Sequence, residues 1–458
     1  MYATKQKQCR LTVWKRKAMQ HRASPLRRNT ESGAALVITI FVLAVLVALV
    51  VSISQSARVE LRASRNFAAE VQCRALADAG VHLAAVTVQN DSTPYVDTLD
   101  DEWATLGENG AAEYELGNGT YRVQVVDACS LLDVNRATRD ELLNLPGMTE
   151  EIADAIIDWR DADDEPSEAG AESDVYENYQ VPYRAKNGPF ESLDELLLVA
   201  GVTPRLLYGD SNGKALEPTQ NTEKPWCELL TVRSSSPNVT AEGETRLNLN
   251  QATVQQLMQL PVGLTQQQAQ AIVIRRQQTQ FSSLGTLFTI AGLPQETAAS
   301  LIDYVTVESG NQVNNKININ TATEDVLTLL PDITPDIAAA IVANRPYQSV
   351  GELLQNGVVE AEVFQRIVDR LTTKSSSFIV KSMGRLYPGG VYVAEIATLQ
   401  RSGGRVQILS RKEVKRWPGW ASWGWEAPSG EPTTPPATSA PVSRLFRAPG
   451  FSRRKVWG

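Results

Sequence analysis

From Ala34 to Val51 the chain reads AALVITIFVLAVLVALVV, with Thr39 as its sole polar residue, and no charge follows until Arg58. About 20 apolar residues are needed to cross the ~30 Å hydrocarbon core of a bilayer. Counting on through Ile53 gives 20 positions, so one membrane-spanning helix fits. A soluble helix of this length would show a polar stripe, and this run has none. Residues 1–33 hold nine Lys/Arg against a single acid, Glu31. A basic flank keeps the amino terminus cytoplasmic and sends the remainder across the membrane.

Beyond the run the helix is expected to continue. Residues 55–88 contain no Pro and one Gly, Gly80. Val59, Phe67, Val71, Ala75, Ala79 and Leu83 recur at helical spacing, which predicts a continuous helix of about 50 residues. Cys73 and His82 on this helix read as packing residues. A secretory signal would end in a small-x-small cleavage site, and none follows the run. Instead Gly33 sits where the basic leader meets the apolar stretch. This arrangement resembles the type IV prepilin class, and the resemblance implies cleavage by a prepilin peptidase between Gly33 and Ala34. Ordinary pilins carry Glu at the fifth mature position; counted from Ala34 that position is Ile38. A subunit lacking this carboxylate suits the end of a filament better than a repeating position. Met19 is an alternative start that would leave a 15-residue leader.

A motif then occurs three times, as LLDVNRATRDELLNLPGMTEEIADAIIDWR (131–160), LNLNQATVQQLMQLPVGLTQQQAQAIVIRR (247–276) and ININTATEDVLTLLPDITPDIAAAIVANR (317–345). Such tight internal similarity marks a repeated supersecondary unit. Each copy reads as two helices around a Pro-containing turn, with Thr138, Thr253 and Thr323 as N-caps. A second half-unit follows each copy, aligned on Phe190/Ser192/Leu196, Phe281/Ser283/Leu287 and Tyr347/Ser349/Leu353. Three helix-hairpin-helix pairs are therefore expected. The motif is familiar from DNA-binding proteins, where a Gly-x-Gly hairpin offers backbone N–H groups to phosphate. Here the second Gly is replaced by Thr149, Thr265 and Thr334. Only the second copy is mildly basic, through Arg246, Arg275 and Arg276.

Charge separates the remaining function classes. The net charge of −8 averages a basic leader and a basic tail around an acidic body; residues 34–410 hold 26 basic and 48 acidic residues, a net of −22. Such a body is a poor match for a phosphate backbone, so no nucleic-acid partner is expected, although a DNA-uptake pilin using the repeats is the alternative reading. An enzyme is not expected: His82 is the one histidine beyond the leader, and no nucleophile–base pair stands out. Cys129 and Cys227 could join in an oxidising compartment, which sequence cannot decide.

Residues 113–128 alternate as a hairpin turning at Gly117-Asn118-Gly119. Residues 377–410 read as three further strands, with turns at Pro388-Gly389-Gly390 and Ser402-Gly403-Gly404. Together these predict an α+β fold: a pilin-like amino-terminal helix on an antiparallel sheet, with a large all-α insertion of helix-hairpin-helix, SAM-like units. The expected segments are a leader (1–33), a transmembrane half-helix (34–53) and the rest of the helix with the first strands (54–128). The first unit (129–208), a linker (209–245), the second unit (246–305) and the third (306–374) follow. Sheet strands (375–412) and a disordered tail (413–458) holding Pro/Ser/Thr/Gly clusters and five of the nine Trp complete the chain.

The first repeat differs from the others between its halves. Arg160 and Phe190 lie 30 residues apart, and the loop at 161–187 contains Asp161, Asp163, Asp164, Glu165, Glu168, Glu172, Asp174 and Glu177, with Gly170 for bending. Crowded carboxylates repel unless a hard cation sits among them, and Ca²⁺ takes 6–8 oxygen ligands. The residues alone admit either a solvated acidic loop or a calcium site without EF-hand spacing.

From Gly33 to Ser410 these pieces resemble the protein K family of type II secretion, a family of minor pseudopilins. The most specific stretch is DWRDADDEP…GAESDVY…PYRAKNGPFESLDELLLVAGVT, followed by LLTV…LNLNQAT. The resemblance implies Ca²⁺ held by Asp161, Asp163, Asp164, Glu172 and Asp174, and an inner-membrane protein with one span and a periplasmic body. It also implies capping of the pseudopilus tip with two other minor pseudopilins, and the major pseudopilin as a further partner. Secreted substrates or the outer-membrane channel are further expected contacts. The long leader and the third helical unit depart from the family pattern.

Overall fold

The structure is a computed structural model that describes residues 31–209, 224–387 and 391–414, together with Trp423 and Trp425. Residues 1–30, part of the expected linker, the turn at 388–390 and most of the tail lie outside the described residues. Two units are distinguished, residues 1–65 and 66–458. In the first, helix α1 (Glu31–Gln89) begins. Its apolar side chains, Phe41 and Leu43 among them, are exposed, and it is long and apolar enough to cross a membrane. Gly33 and Ala34 fall in its first turn.

In the second unit, α1 packs on a five-stranded antiparallel sheet. The strands are β1 (Tyr114–Leu116), β2 (Gly119–Asp127), β3 (Ser377–Leu386), β4 (Tyr392–Ser402) and β5 (Arg405–Val414), in that spatial order. Alternation along the strands puts Tyr121, Val123, Val125, Phe378, Val380, Ala397 and Leu399 on one face, against Leu76, Val81, Ala84 and Val88 of the helix. Gly80 and Gly384 permit the close approach: a Cβ on Gly80 would strike Ser382, and one on Gly384 would strike the Cys73 carbonyl. Ser382 Oγ donates to the Ala77 carbonyl at 2.8 Å across this contact. Cys73 is buried, as expected, but His82 is exposed, with Nε2 3.2 Å from Arg411. It lies off the buried stripe, so the packing role read for it is corrected.

Strands β2 and β3 are sheet neighbours separated in sequence by the whole helical insertion. Its three copies have matching helices: α2 (Arg139–Leu143) and α3 (Glu150–Arg160), α4 (Val254–Met258) and α5 (Gln266–Gln278), α6 (Glu324–Leu327) and α7 (Pro335–Ala343). The hydroxyls of Thr138, Thr253 and Thr323 cap the first helices, and those of Thr149, Thr265 and Thr334 cap the second. The Thr that replaces a phosphate-binding Gly therefore satisfies an amide that a phosphate would need. Two residues before each, the backbone is left-handed, at Gly147, Gly263 and Asp332. Gly and Asp are among the residues that tolerate this region.

The repeated Asn and Arg explain the rest of the motif. Asn135, Asn250 and Asn320 each exchange two hydrogen bonds with the backbone of the aligned aromatic, Phe190, Phe281 and Tyr347. Arg160, Arg276 and Arg345 turn inward and donate to paired carbonyls: Val134 and Ala137, Leu249 and Ala252, Ile319 and Ala322. Arg246 is bound to Asp303. Two of the three residues that make the second copy basic are thus consumed inside the fold.

Each unit is closed by a short parallel pair: Leu132–Asp133 with Leu230–Thr231, Leu247–Asn248 with Val305–Thr306, and Ile317–Asn318 with Leu371–Thr372. The closing strand of the first unit lies in the segment that the sequence reading assigns to a linker. One hydrophobic core runs through all three units, from Leu132 to Leu371. No disulfide joins Cys129 to Cys227; the buried Cys129 Sγ donates instead to the Ser235 carbonyl at 3.3 Å. At the carboxyl end the sheet runs to Val414, and Trp423 and Trp425 are buried, so the region read as a disordered tail begins with ordered residues.

Candidate metal centre in the acidic loop

The loop between the halves of the first unit is built on an aromatic base. Trp159, at the end of α3, meets Tyr176 edge to face at 5.3 Å, and Tyr176 stacks on Tyr183 at 5.3 Å. The Ala200 amide donates to Tyr176 Oη at 3.3 Å. Asp158 is fully buried and accepts from the Ser167 amide and hydroxyl. A Cβ on Gly170 would strike the Asp158 carboxylate. Gly170 closes a turn, its amide donating to the Ser167 carbonyl at 3.1 Å, and it leaves room for Asp158 without a left-handed φ.

On this base Asp161, Asp163 and Glu172 converge, with one carboxylate oxygen from each within 4.8 Å of the others. That spread is about the diameter of an oxygen shell at the 2.3–2.6 Å ligand distance of Ca²⁺. Asp161 ends α3 as its C-cap. Glu172 stands at the N-cap of the short helix Ser173–Glu177 without capping it, which leaves its carboxylate for the cluster. It is 3% exposed, and both its oxygens, like Asp161 Oδ1, are buried without a hydrogen-bond partner. A buried unpaired carboxylate is costly. Burial first, then the charges of Asp158, Asp161, Asp164 and Asp163, push Glu172 up to about 7. Burial and the neighbouring Asp163 and Asp158 raise Asp161 as well. Orphaned hard oxygens under mutual repulsion fit an oxygen-seeking divalent cation.

The other two expected ligands stand at the rim. Asp164 and Asp174 line a shallow depression with Glu172, Glu177 and Arg184. Asp164 Oδ1 accepts from Asn187 Nδ2 at 2.8 Å, and Asp174 Oδ1 from the Val175 amide at 2.9 Å. Asn187 is the residue that the sequence reading missed. Its Nδ2 also donates to the Asp163 carbonyl at 2.7 Å, while its Oδ1 is buried and unpartnered. A search for carboxylates alone passes over a neutral amide; Asn187-Gly188, where Asn187 is left-handed, was the available turn signal. A second carboxylate group, Asp91, Asp97 and Asp101, differs because Arg401 bridges Asp91 and Asp97 and Thr98 and Trp103 donate to Asp101.

Comparison with known proteins adds family information. Residues 132–208 match the family model described as type II secretion system (T2SS), protein K. Residues 242–306 and 312–372 each match the helix-hairpin-helix motif. A type II secretion system protein K from Pectobacterium carotovorum subsp. carotovorum is 27% identical over 199 residues, which is 38% of this chain and 60% of the relative. The chain thus spans less than two thirds of that relative's length. An endonuclease/exonuclease/phosphatase family domain-containing protein 1 from Xenopus laevis is 29% identical over 154 residues, 32% of this chain and 22% of that protein. The crystal structure of the GspK-GspI-GspJ complex from the enterotoxigenic Escherichia coli type 2 secretion system aligns over 79% of this chain and 100% of the matched chain. Its TM-score is 0.46 at 14% identity. The chain is similar to type II secretion system protein K, and the unit that matches the model of that family, residues 132–208, contains the acidic loop.

Proposed function

We propose that this protein is a non-enzymatic minor pseudopilin that caps the tip of a periplasmic pseudopilus and helps to start its assembly, in the service of exporting folded proteins across the outer membrane. One combination carries the reading: an apolar helix led by Ala34 runs on into a helix packed on an antiparallel sheet, in a chain whose first helical unit matches protein K. In this reading prepilin peptidase cuts between Gly33 and Ala34. The helix then anchors the chain in the inner membrane and packs beside other minor pseudopilins and the major pseudopilin. Ile38 leaves the amino-terminal charge of a neighbour unanswered, which favours an end position.

Calcium would be held by Asp161, Asp163 and Glu172, with Asp164 and Asp174 at the rim, and would neutralise the repulsion that otherwise loosens the loop. The helical insertion would face the secreted substrate or the outer-membrane channel. A strain lacking the chain should synthesise its exported proteins but retain them in the periplasm; normal secretion would refute the proposal. Mass spectrometry of the purified protein should find a methylated Ala34 at the amino terminus, and an intact leader would overturn the processing step.

A further inference from the structure

The sheet has two faces. Phe378, Val380, Ser382 and Gly384 of β3 meet the helix side. Met383 points the other way, as strand alternation requires, and joins Ala394 of β4 in a separate cluster. Trp423 and Trp425 complete it, flanked by Tyr392, Ile396 and Val414. The two indoles are 6% and 7% exposed and meet edge to face at 5.1 Å. Lys381 Nζ stands 6.0 Å from the Trp423 ring centroid, within cation–π range.

The receptor for these rings has its own construction. Gly107, Glu108, Asn109 and Gly110 all have positive φ, at 64°, 51°, 57° and 87°. Residues with side chains rarely adopt that region, and runs of it are rarer still. Gln124 Nε2 holds the turn by donating to Asn109 Oδ1 at 2.9 Å, and the Ala112 amide donates to the Gly107 carbonyl at 2.9 Å. The turn presents Gly110 to Trp425: a Cβ there would lie 2.8 Å from the indole Nε1. The missing side chain of Gly110 is the space beside which the indole sits. Strain held in place by surrounding contacts is a mark of a working site.

We propose that this outer face is a binding site for a Trp-x-Trp segment, occupied in cis by Trp423 and Trp425, and that its occupation closes the face to other protein surfaces. Without the indoles the face would present Met383, Ala394, Ile396, Tyr392 and Val414 as one apolar patch, the kind of surface that recruits partners. Tryptophan suits the role because it brings a large, rigid contact area with little rotamer entropy to lose.

The test uses the full chain in detergent micelles and a fluorescein-labelled peptide with the sequence of residues 421–427, Ala-Ser-Trp-Gly-Trp-Glu-Ala. Cis occupancy lowers the fraction of open sites, so the peptide should bind the W423A/W425A variant at least about tenfold more tightly than the unmodified chain. A peptide with both tryptophans replaced by alanine should bind neither. Should the double variant fail to give a folded circular-dichroism spectrum, Trp425→Ala alone replaces it in the same assay. Equal binding to variant and unmodified chain, or no dependence on the peptide tryptophans, would overturn the proposal.

Discussion

Arg370 grips Glu141 through two hydrogen bonds, Nε to Oε1 at 2.7 Å and Nη2 to Oε2 at 2.8 Å, although 229 residues separate them in the chain. Glu141 is 1% exposed and already accepts from the Thr138 amide in the capping box of α2. The pair ties the third helical unit to the first, so the third unit is integral to the insertion. Removing one partner of a buried ion pair costs about 3–5 kcal/mol. Arg370→Met should therefore lower the unfolding free energy of the insertion by about that amount in urea titrations followed by tryptophan fluorescence. A change below about 1 kcal/mol would place the pair with weak surface bridges.

The Asn clamp makes a sharper test at Asn320, where both partners are buried. Nδ2 donates to the Tyr347 carbonyl and Oδ1 accepts from the Tyr347 amide, each at 2.8 Å. Asn320→Ala would orphan two buried backbone groups, at about 1–3 kcal/mol each. Asn320→Asp keeps the acceptor but sets a carboxylate against a carbonyl, so it should rescue little. Recovery of wild-type melting in Asn320→Asp would show that the amide donor is dispensable.

Calcium should raise the melting temperature of the purified chain. A ligand at 100 times its dissociation constant adds about 2.7 kcal/mol to stability. EDTA should remove the gain, and Glu172→Gln, which withdraws the buried charge from the cluster, should abolish most of the difference between calcium and EDTA. Identical melting curves for the wild type in calcium and in EDTA would rule out a stabilising cation at the loop.

The pH dependence has a definite sign. Burial and neighbouring carboxylates raise Glu172 from 4.5 to about 7 in the folded chain. A carboxyl with a raised folded-state pKa contributes stability that is fully present below the unfolded value and lost as pH rises through the folded one. In EDTA the melting temperature should therefore carry a downward contribution between about pH 4.5 and 7 that Glu172→Gln removes. Calcium binds the deprotonated form, so its apparent affinity should rise across pH 7. An affinity that is flat from pH 6 to 8 would exclude Glu172 as a ligand.

How much of this was legible in advance can be judged residue by residue. The long apolar helix, the three repeats, their Thr caps and the sheet hairpins follow from local periodicity and capping, which act within a few residues. The acidic loop also stood out by its eight carboxylates in a short stretch, although the residues alone admitted a solvated loop as well as a cation site. What each carboxylate does was not legible. Only the fold brings Asp161, at the end of α3, within reach of Glu172, at the head of the next short helix, and leaves both Glu172 oxygens and Asp161 Oδ1 without donors. Likewise the sequence counted Arg276 only as one of the residues that make the second copy basic, while the tertiary structure turns it, with Arg160 and Arg345, toward backbone carbonyls of its own unit. Sequence by itself determined the parts and their repetition, because these rest on short-range hydrogen bonding and apolar spacing. The tertiary structure decided which polar atoms are satisfied and which are stranded, because burial is set by contacts between residues far apart in the chain.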